Sequence, residues 1–190
     1  MALPHFAVVD LETSGFSTRR HRILQLGMVT VDADGRVVDQ WATMVKLRWR
    51  LQRVGPTHVH GITRSTLQGA PPLDKVLDEL GQRLDGSIFT AHNASFDASF
   101  LARAVRRRPA DDPVRTGIEP RLCTLRMSRK LDPDRALSHR LTDVCERYGV
   151  PLDRPHEALA DATATAAILP HLLAAHGITE PDQLTPFYVS

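Results

Sequence analysis

Apolar residues fall first into short runs typical of strands and later into stretches with helical spacing. Residues 6–9 form an apolar, partly β-branched run with the chemistry of a central strand. Residues 23–31 and 37–45 are two more β-rich runs, and the Asp-Ala-Asp-Gly sequence between them is typical of a hairpin. The start of the chain therefore predicts an antiparallel meander of three strands.

From residue 73 onward, helical and strand patterns alternate. A helical pattern over 73–84 ends at Gly86, and a strand predicted at 87–91 is followed by a helical pattern that reaches residue 105. A short strand is predicted at 121–124, and helices at 138–148 and 156–176. Residues 178–190 are predicted to be a tail, so that one domain spans 1–177. This order predicts an α/β fold with helices flanking a mixed central sheet.

Composition limits the class of protein. A chain of 190 residues with 42% hydrophobic content suits one domain with a sizeable core. The formal net charge of +2 does not by itself indicate a nucleic-acid-binding protein. The two cysteines, Cys123 and Cys145, have neither disulfide-framework nor zinc-site spacing, so a reduced, cytoplasmic setting is expected. No signal peptide or membrane span is expected, because Asp161 and Pro170 interrupt the most apolar segment, 158–175.

Two carboxylates mark the end of the first predicted strand. Asp10 and Glu12 are two apart, so a strand places them on the same face. Like charges at this separation raise each other's pKa, and a divalent cation between them removes the conflict. Taken alone, the same pair is also typical of ordinary surface acids at a strand end.

Two further polar pairs stand at predicted helix starts. Asn93 and Asp97 are four apart and share a helix face, although they also suit an N-cap and a first-turn acid. His156 and Asp161 lie at the start of the last predicted helix, after Pro155. Asp161 is surrounded by alanines, whose small side chains suggest that another group approaches this acid closely. An exposed His and a solvated Asp are the plain alternative for that pair.

Together, the three pieces resemble the motifs of the DEDDh family of 3′-to-5′ exonucleases, which includes the epsilon proofreading subunit of bacterial DNA polymerase III, RNase T and oligoribonuclease. The match covers residues 6–176, and three ordered motifs are more specific than any one. The sequences TSG at 13–15 and HGIT at 60–63 look like their counterparts in the epsilon-like branch. The resemblance implies a ribonuclease H-like fold. The tyrosine version of the family needs Tyr at 157, where this chain has Glu157, so His156 is the candidate base.

The resemblance also implies a metal-dependent mechanism. Two divalent ions, Mg²⁺ or Mn²⁺, are expected on Asp10, Glu12, Asp97 and Asp161. Asp10 is expected to bridge them, Glu12 and Asp161 to hold the ion with the attacking water, and Asp97 to serve the ion at the leaving group. His156 is expected to take the proton from that water, because imidazole groups titrate near neutrality.

The implied substrate is the 3′ end of a single-stranded nucleic acid, with DNA expected and RNA as the alternative. Six residues are candidates for substrate contact: Thr13, Ser14, His60, Ile62, Asn93 and Phe96. Thr13 and Ser14 offer backbone N–H groups, while Ile62 and Phe96 suit packing on bases. Asn93 either holds a phosphate or orients Asp97, and His60 either reaches substrate or braces its loop.

The remaining features concern surfaces and partners. The basic stretch 46–53, which carries Trp49, suits either a nucleic-acid track or a solvated loop. The arginines of 103–108 are more typical of a helix C-terminus. The peptide from Gln183 to Phe187 resembles clamp-binding peptides, with Pro186 in place of a Leu, so a sliding clamp is a candidate partner. The epsilon-like resemblance implies a polymerase as another candidate partner. The alternative from a different functional class is a non-catalytic protein that binds a polymerase or clamp. The presence of all five catalytic side chains argues against it.

Overall fold

The computed structural model describes residues 2–49 and 52–190, so residues 50 and 51 of the basic stretch 46–53 lie outside it. A six-stranded sheet has the order β3-β2-β1-β4-β5-β6. The first three strands are antiparallel, β4 and β5 continue the sheet in parallel, and β6 returns antiparallel. This confirms the predicted mixed sheet. The strands are β1 (His5–Thr13), β2 (Ile23–Val31), β3 (Val37–Met44), β4 (Ser87–Ala91), β5 (Arg121–Cys123) and β6 (Tyr188–Val189).

Seven α-helices surround this sheet in the described part of the chain. They are α1 (Thr57–His60), α2 (Leu73–Leu84), α3 (Ala94–Ala104), α4 (Pro113–Gly117), α5 (Thr124–Lys130), α6 (Leu141–Tyr148) and α7 (Ala158–Ala175). The last two begin two or three residues later than the sequence pattern predicts. Helix α4 lies between the helical pattern that reaches residue 105 and the strand predicted at 121–124, where the sequence pattern indicated no helix. The Asp112 carboxylate caps it by accepting hydrogen bonds from the backbone N–H groups of Val114 and Arg115, at 3.1 and 3.3 Å.

Strand β1 lies between two hydrophobic layers, which explains its apolar run. Ala7 and Val9 belong to the core shared with α2 and α3, while Phe6 and Val8 belong to the core shared with α6 and α7. Because side chains alternate along a strand, the even-numbered residues of β1 face α7. Asp10 and Glu12 continue that face beyond the core.

Helix α7 packs tightly on the sheet. By length and composition it is the one helix of the described residues that could cross a membrane, and 56% of its apolar window is buried inside the domain. It lies along β2 and β1. Here it is a core helix, and its small residues allow close approach.

Gly27 of β2 sets the distance between the sheet and the start of α7. A Cβ atom at this position would lie 2.3 Å from the carbonyl carbon of Ala158 and 2.4 Å from the nitrogen of Leu159. Backbone atoms cannot move aside as a flexible side chain can, so the first turn of α7 must shift to accept any larger residue. That turn carries Asp161.

We expect the substitution Gly27→Ala to lower the free energy of unfolding by about 1–3 kcal/mol, the usual cost of overpacking. Urea denaturation measures this. Ala42→Val is the matched control, because Ala42 pairs with Gly27 on β3 but is exposed. Equal stabilities for Gly27→Ala and the wild type would contradict the close contact.

The C-terminal segment predicted to be a tail is packed on the domain. A 3₁₀ helix at Pro181–Phe187 leads into β6, which pairs with β5. Leu184 is fully buried and Phe187 is 5% exposed, both in the core that includes α7. The segment was too short for its periodicity to reveal an apolar face, so the sequence pattern alone did not place it in the fold.

The same packing argues against the predicted clamp-binding peptide. Leu184 and Phe187, the side chains that such a peptide would present, are turned into the core, and the Phe187 ring lies 4.4 Å from the His176 ring. The Gln183 side chain accepts hydrogen bonds from the backbone N–H groups of Thr179 and Glu180, at 2.7 and 3.0 Å. These contacts leave no apolar anchor of this peptide exposed.

Candidate active site

Three elements distant in sequence bring the predicted acids together at one end of the sheet. Asp10 and Glu12 come from β1, Asp97 from the first turn of α3, and Asp161 from the first turn of α7. Asp97 Oδ1 accepts a hydrogen bond from the Leu11 backbone N–H at 3.1 Å, which ties α3 to β1. One oxygen of Glu12, one oxygen of Asp161 and a ring nitrogen of His156 all lie within 4.8 Å of one another.

Burial and mutual repulsion raise the pKa values of this cluster. The pKa of Asp10 lies well above its ordinary value because of burial first, and then because of the charges of Asp97, Asp161 and Glu12. Burial and the charge of Asp161 raise the pKa of Glu12 to about 7. Burial raises the pKa of Asp97 to about 8, against the lowering effect of its backbone hydrogen bonds. Burial also raises the pKa of Asp161.

The cluster fits a divalent cation. Its oxygen donors are the hard ligands that Mg²⁺ and Mn²⁺ prefer. Asp161 Oδ1 is buried and has no hydrogen-bond partner. Within residues 2–49 and 52–190, no Lys or Arg forms an ion pair with any of these four acids. Bound positive charge would supply the missing partner and would lower the raised pKa values.

His156 lies in the connection between α6 and α7, immediately before the helix. It has a φ of 66°, an uncommon conformation for a residue other than glycine. Its backbone N–H donates to Asp161 Oδ2 at 3.1 Å, while its side chain is exposed. The backbone is therefore tied to the same acid that the ring approaches.

Gln25 positions the start of α7, a role that the sequence analysis did not identify. It is 6% exposed on β2. Its Oε1 accepts from the Ala158 backbone N–H at 3.4 Å, and its Nε2 donates to Glu157 Oε1 at 3.5 Å. The available signal was a polar residue inside the otherwise apolar run 23–31, since a buried amide needs partners.

Asn93 occupies the N-cap position of α3 without capping it through its side chain. Its φ of 71° is left-handed, and its side chain forms no capping hydrogen bond. The backbone carbonyl instead accepts from the Phe96 N–H at 2.9 Å. Asn93 is exposed, so its amide is available for another contact beside Asp97.

Two aromatic rings contact each other near the first turn of α3. Phe96 is half-buried, and its ring centroid lies 6.3 Å from that of Phe16, in an edge-to-face arrangement. Phe16 is 91% exposed. The sequence analysis did not identify Phe16, although an aromatic residue just after the Thr-Ser-Gly turn of a polar segment was a usable signal. A large exposed ring in this position suits stacking on an unpaired base.

Two predicted substrate contacts, Ile62 and Ser14, are already engaged within the fold, and His60 takes the second of its two predicted roles. Ile62 is 3% exposed and packs with Leu24 and Leu67, so it offers no surface to a base. The Ser14 backbone N–H already donates to the Arg22 carbonyl at 2.9 Å. His60 braces its loop: Nδ1 accepts from the Ile62 N–H at 3.0 Å, and Nε2 donates to the Val54 carbonyl at 3.1 Å. Sequence alone does not distinguish an exposed loop residue from a buried one.

The family model described as RNase T, Exonuclease, matches residues 7–169, a range that contains all four acids and His156. The chain belongs to this exonuclease family. The family and the enzyme class predicted from the three acidic motifs are thereby confirmed, and the chain is a 3′-to-5′ exonuclease domain.

Relatives of this exonuclease domain include a much larger protein. The PolC-type DNA polymerase III of Clostridium perfringens is 32% identical over 164 residues, which make up 86% of this chain and 11% of that polymerase. The chain therefore spans only a small part of the curated relatives that it matches.

Solved structures share the fold of the exonuclease domain. E. coli Exonuclease I in complex with a dT13 oligonucleotide superposes with a TM-score of 0.77 and 19% identity, covering 92% of this chain and 42% of that one. Exonuclease X in complex with 5′ overhanging duplex DNA gives a TM-score of 0.69 and 24% identity, covering 94% and 96%. At these identities the likeness concerns the fold, and it confirms the predicted ribonuclease H-like architecture.

Proposed function

We propose that this exonuclease domain hydrolyses single-stranded DNA from its 3′ end with the help of two divalent metal ions, Mg²⁺ or Mn²⁺. The observation that carries the proposal is the cluster of four acids from three elements, with raised pKa values and an unpartnered buried oxygen, beside the exposed ring of His156. Such a cluster destabilises the fold when no cation is bound, so a role in catalysis is the reason we infer for its presence.

The proposed metal ligands are Asp10, Glu12, Asp97 and Asp161. When bound, two divalent ions provide an activated water and neutralise the charge that develops on the phosphate and on the leaving 3′ oxygen. The buried Leu11 N–H fixes one oxygen of Asp97, which limits the positions that its carboxylate can take.

His156 is the proposed general base. Its ring is exposed next to the carboxylates of Glu12 and Asp161, so it can accept a proton from water there and release it to solvent. In the overall reaction, water adds to phosphorus and the bond to the 3′ oxygen of the preceding nucleotide breaks. A nucleoside 5′-monophosphate leaves.

The form of the site supports a single strand as substrate. Phe16 and Phe96 offer rings to a base that has no pairing partner, and Asn93 and the Thr13 backbone are the proposed contacts to the terminal phosphate and hydroxyl. The dT13 complex of Exonuclease I supports a DNA strand. The likeness to a PolC-type polymerase supports a DNA polymerase as partner, with proofreading in the cytoplasm as the role.

The test is the release of mononucleotides from a 3′-labelled single-stranded DNA oligomer and its RNA counterpart, with Mg²⁺, with Mn²⁺ and with EDTA. We expect stepwise shortening of DNA that EDTA abolishes. His156→Ala is expected to lower kcat by about 100-fold or more while binding of the oligomer is retained. His5→Ala is the matched control, because His5 is exposed at the opposite end of β1.

Other outcomes identify the alternatives. Faster shortening of RNA would make the domain an RNA-trimming enzyme. A folded protein that is inactive on both substrates would favour the accessory role. Full activity of His156→Ala would remove the general-base assignment.

A further inference from the structure

A basic groove lies at the C-terminal end of α3, the helix whose first turn carries Asp97. It has a volume of about 910 Å³ and runs between the end of α3 and the segment that follows β3. Among its described lining residues, eight are Arg or Lys and one, Asp74, is acidic. Its lining includes Arg22, Arg48, Trp49, Arg103, Arg106 and Arg107. So strong an excess of one charge attracts a polyanion.

Lining residues place the basic groove near the active site on two sides. A smaller pocket of about 290 Å³ shares Arg22 with the groove and is also lined by Ser14, two residues after Glu12. On the other side, Phe100 lines the groove and its ring lies 5.1 Å from that of Phe96, the residue before Asp97. A strand that ends at the acids can therefore continue directly into the groove.

The arginines at the end of α3 are free to bind a ligand. Arg103, Arg106 and Arg107 are exposed, and no carboxylate within the described residues pairs with them. The charges of Arg103 and Arg107 lower the pKa of Arg106, so the three repel one another. Arg108, by contrast, is paired with Asp78 and Asp112.

A favourable position at the helix C-terminus accounts for Arg103, in the last turn of α3, but not for Arg106 and Arg107. Helix α3 ends at Ala104, so Arg106 and Arg107 lie beyond its last turn, where the helix dipole falls off. These two arginines repel each other and pair with no carboxylate, so nothing in the described part of the domain shows that they stabilise the fold.

We infer that the basic groove binds the phosphate backbone of the strand on the 5′ side of the nucleotide being removed. The substrate class rests on the proposed function. Arg103 follows Asp97 by six residues of helix, or about 9 Å, so we place the start of the groove about two nucleotides upstream of the acids. Trp49, 61% exposed with the Arg48 guanidinium 5.1 Å from its ring centre, offers a surface for an upstream base.

The experiment measures binding without cleavage. Fluorescence anisotropy in EDTA compares the affinity of wild type, Arg106→Glu and Arg36→Glu for a single-stranded oligomer of roughly 12 nucleotides, over a series of salt concentrations. Arg36 is the matched control: it is exposed beyond the far end of β2, about 30 Å from Ile23 at the groove. Circular dichroism verifies that all three proteins are folded.

We expect Arg106→Glu to weaken binding at least about fivefold and to flatten the dependence of log Kd on log salt by about 0.7, the value for one lost phosphate contact. Arg36→Glu should bind like the wild type. Unchanged binding by Arg106→Glu, or an equal loss in both variants, would overturn the inference.

Cleavage of a dinucleotide separates this inference from the proposed function. A dinucleotide is too short to reach the groove, so Arg106→Glu should cleave it at the wild-type rate while its KM for the longer oligomer rises. If the wild type cleaves neither substrate, the proposed function fails, whereas the anisotropy result still decides whether the groove binds the strand.

Discussion

Replacement of Asp10 by asparagine is expected to lower kcat for 3′-end hydrolysis by at least about 100-fold. The loss of residues that only support a metal ligand costs about 10–100-fold, and Asp10 is itself a proposed ligand. An amide has nearly the same shape but no charge, so the change removes charge from the cluster without leaving a cavity. Steady-state kinetics with saturating Mg²⁺ measures the effect.

The same substitution should raise the melting temperature of the metal-free protein. Burial first, and then the charges of three other acids, raise the pKa of Asp10, so its ionised form destabilises the fold. Asp34→Asn is the matched control, because Asp34 is an exposed hairpin residue. A catalytic loss accompanied by a lower melting temperature would point to misfolding. Retained activity would remove Asp10 from the proposed mechanism.

Stability without metal should fall as the pH rises from about 6.5 to about 8. Asp97 has a pKa of about 8 in the folded protein and an ordinary value of 3.8, and Glu12 has about 7 against 4.5. A raised carboxyl pKa means that the folded state holds its proton longer than the unfolded chain does. Each such acid therefore destabilises the fold increasingly with pH, up to its folded pKa.

Two histidines limit the pH range in which stability reports on the acids alone to values above 6.5. Burial lowers the pKa of His92 from 6.5 to about 4 and also lowers the pKa of His60. A lowered histidine pKa gives a stability that is lost as pH falls below 6.5, a slope opposite to that of the acids. Above that pH both histidines are neutral in either state, and only the acids contribute.

Chemical denaturation in EDTA over this window should show a loss of roughly 2 kcal/mol, mostly from Asp97. Saturating Mn²⁺ should abolish the loss, because bound cations keep the carboxylates ionised in the folded state. Asp10→Asn should reduce it. A flat stability profile in EDTA would contradict the raised pKa values.

The spacing of residues along the chain was enough to predict on which strand or helix each acid lies. The two-residue period of β1 placed Asp10 and Glu12 on one face, and the structure confirms that both face α7. The interpretation of Asn93 and Asp97 as an N-cap and a first-turn acid likewise placed Asp97 in the first turn of α3. Local spacing thus located the acids on their elements, and the likeness of three ordered motifs identified the family.

Side-chain burial and local backbone conformation depend on tertiary contacts, which the sequence pattern did not reveal. Burial of Ile62 and Leu184 depends on distant partners, so their positions in a loop or an apparent tail gave no indication of it. The left-handed backbone of His156 is likewise invisible in residue types. Gln25 shows the same limit, since its hydrogen bonds reach residues more than 130 positions away.

The origin of the acids in three elements links nuclease activity to complete folding. Asp97 arrives with the layer of α2 and α3, Asp161 with the layer of α6 and α7, and β1 carries the remaining two between them. A nascent or partly unfolded chain in which either layer has detached cannot assemble the cluster. Because the acids are then incomplete, such an intermediate is not expected to hydrolyse the cell's nucleic acids. Hydrolysis is expected only once both layers have packed on β1.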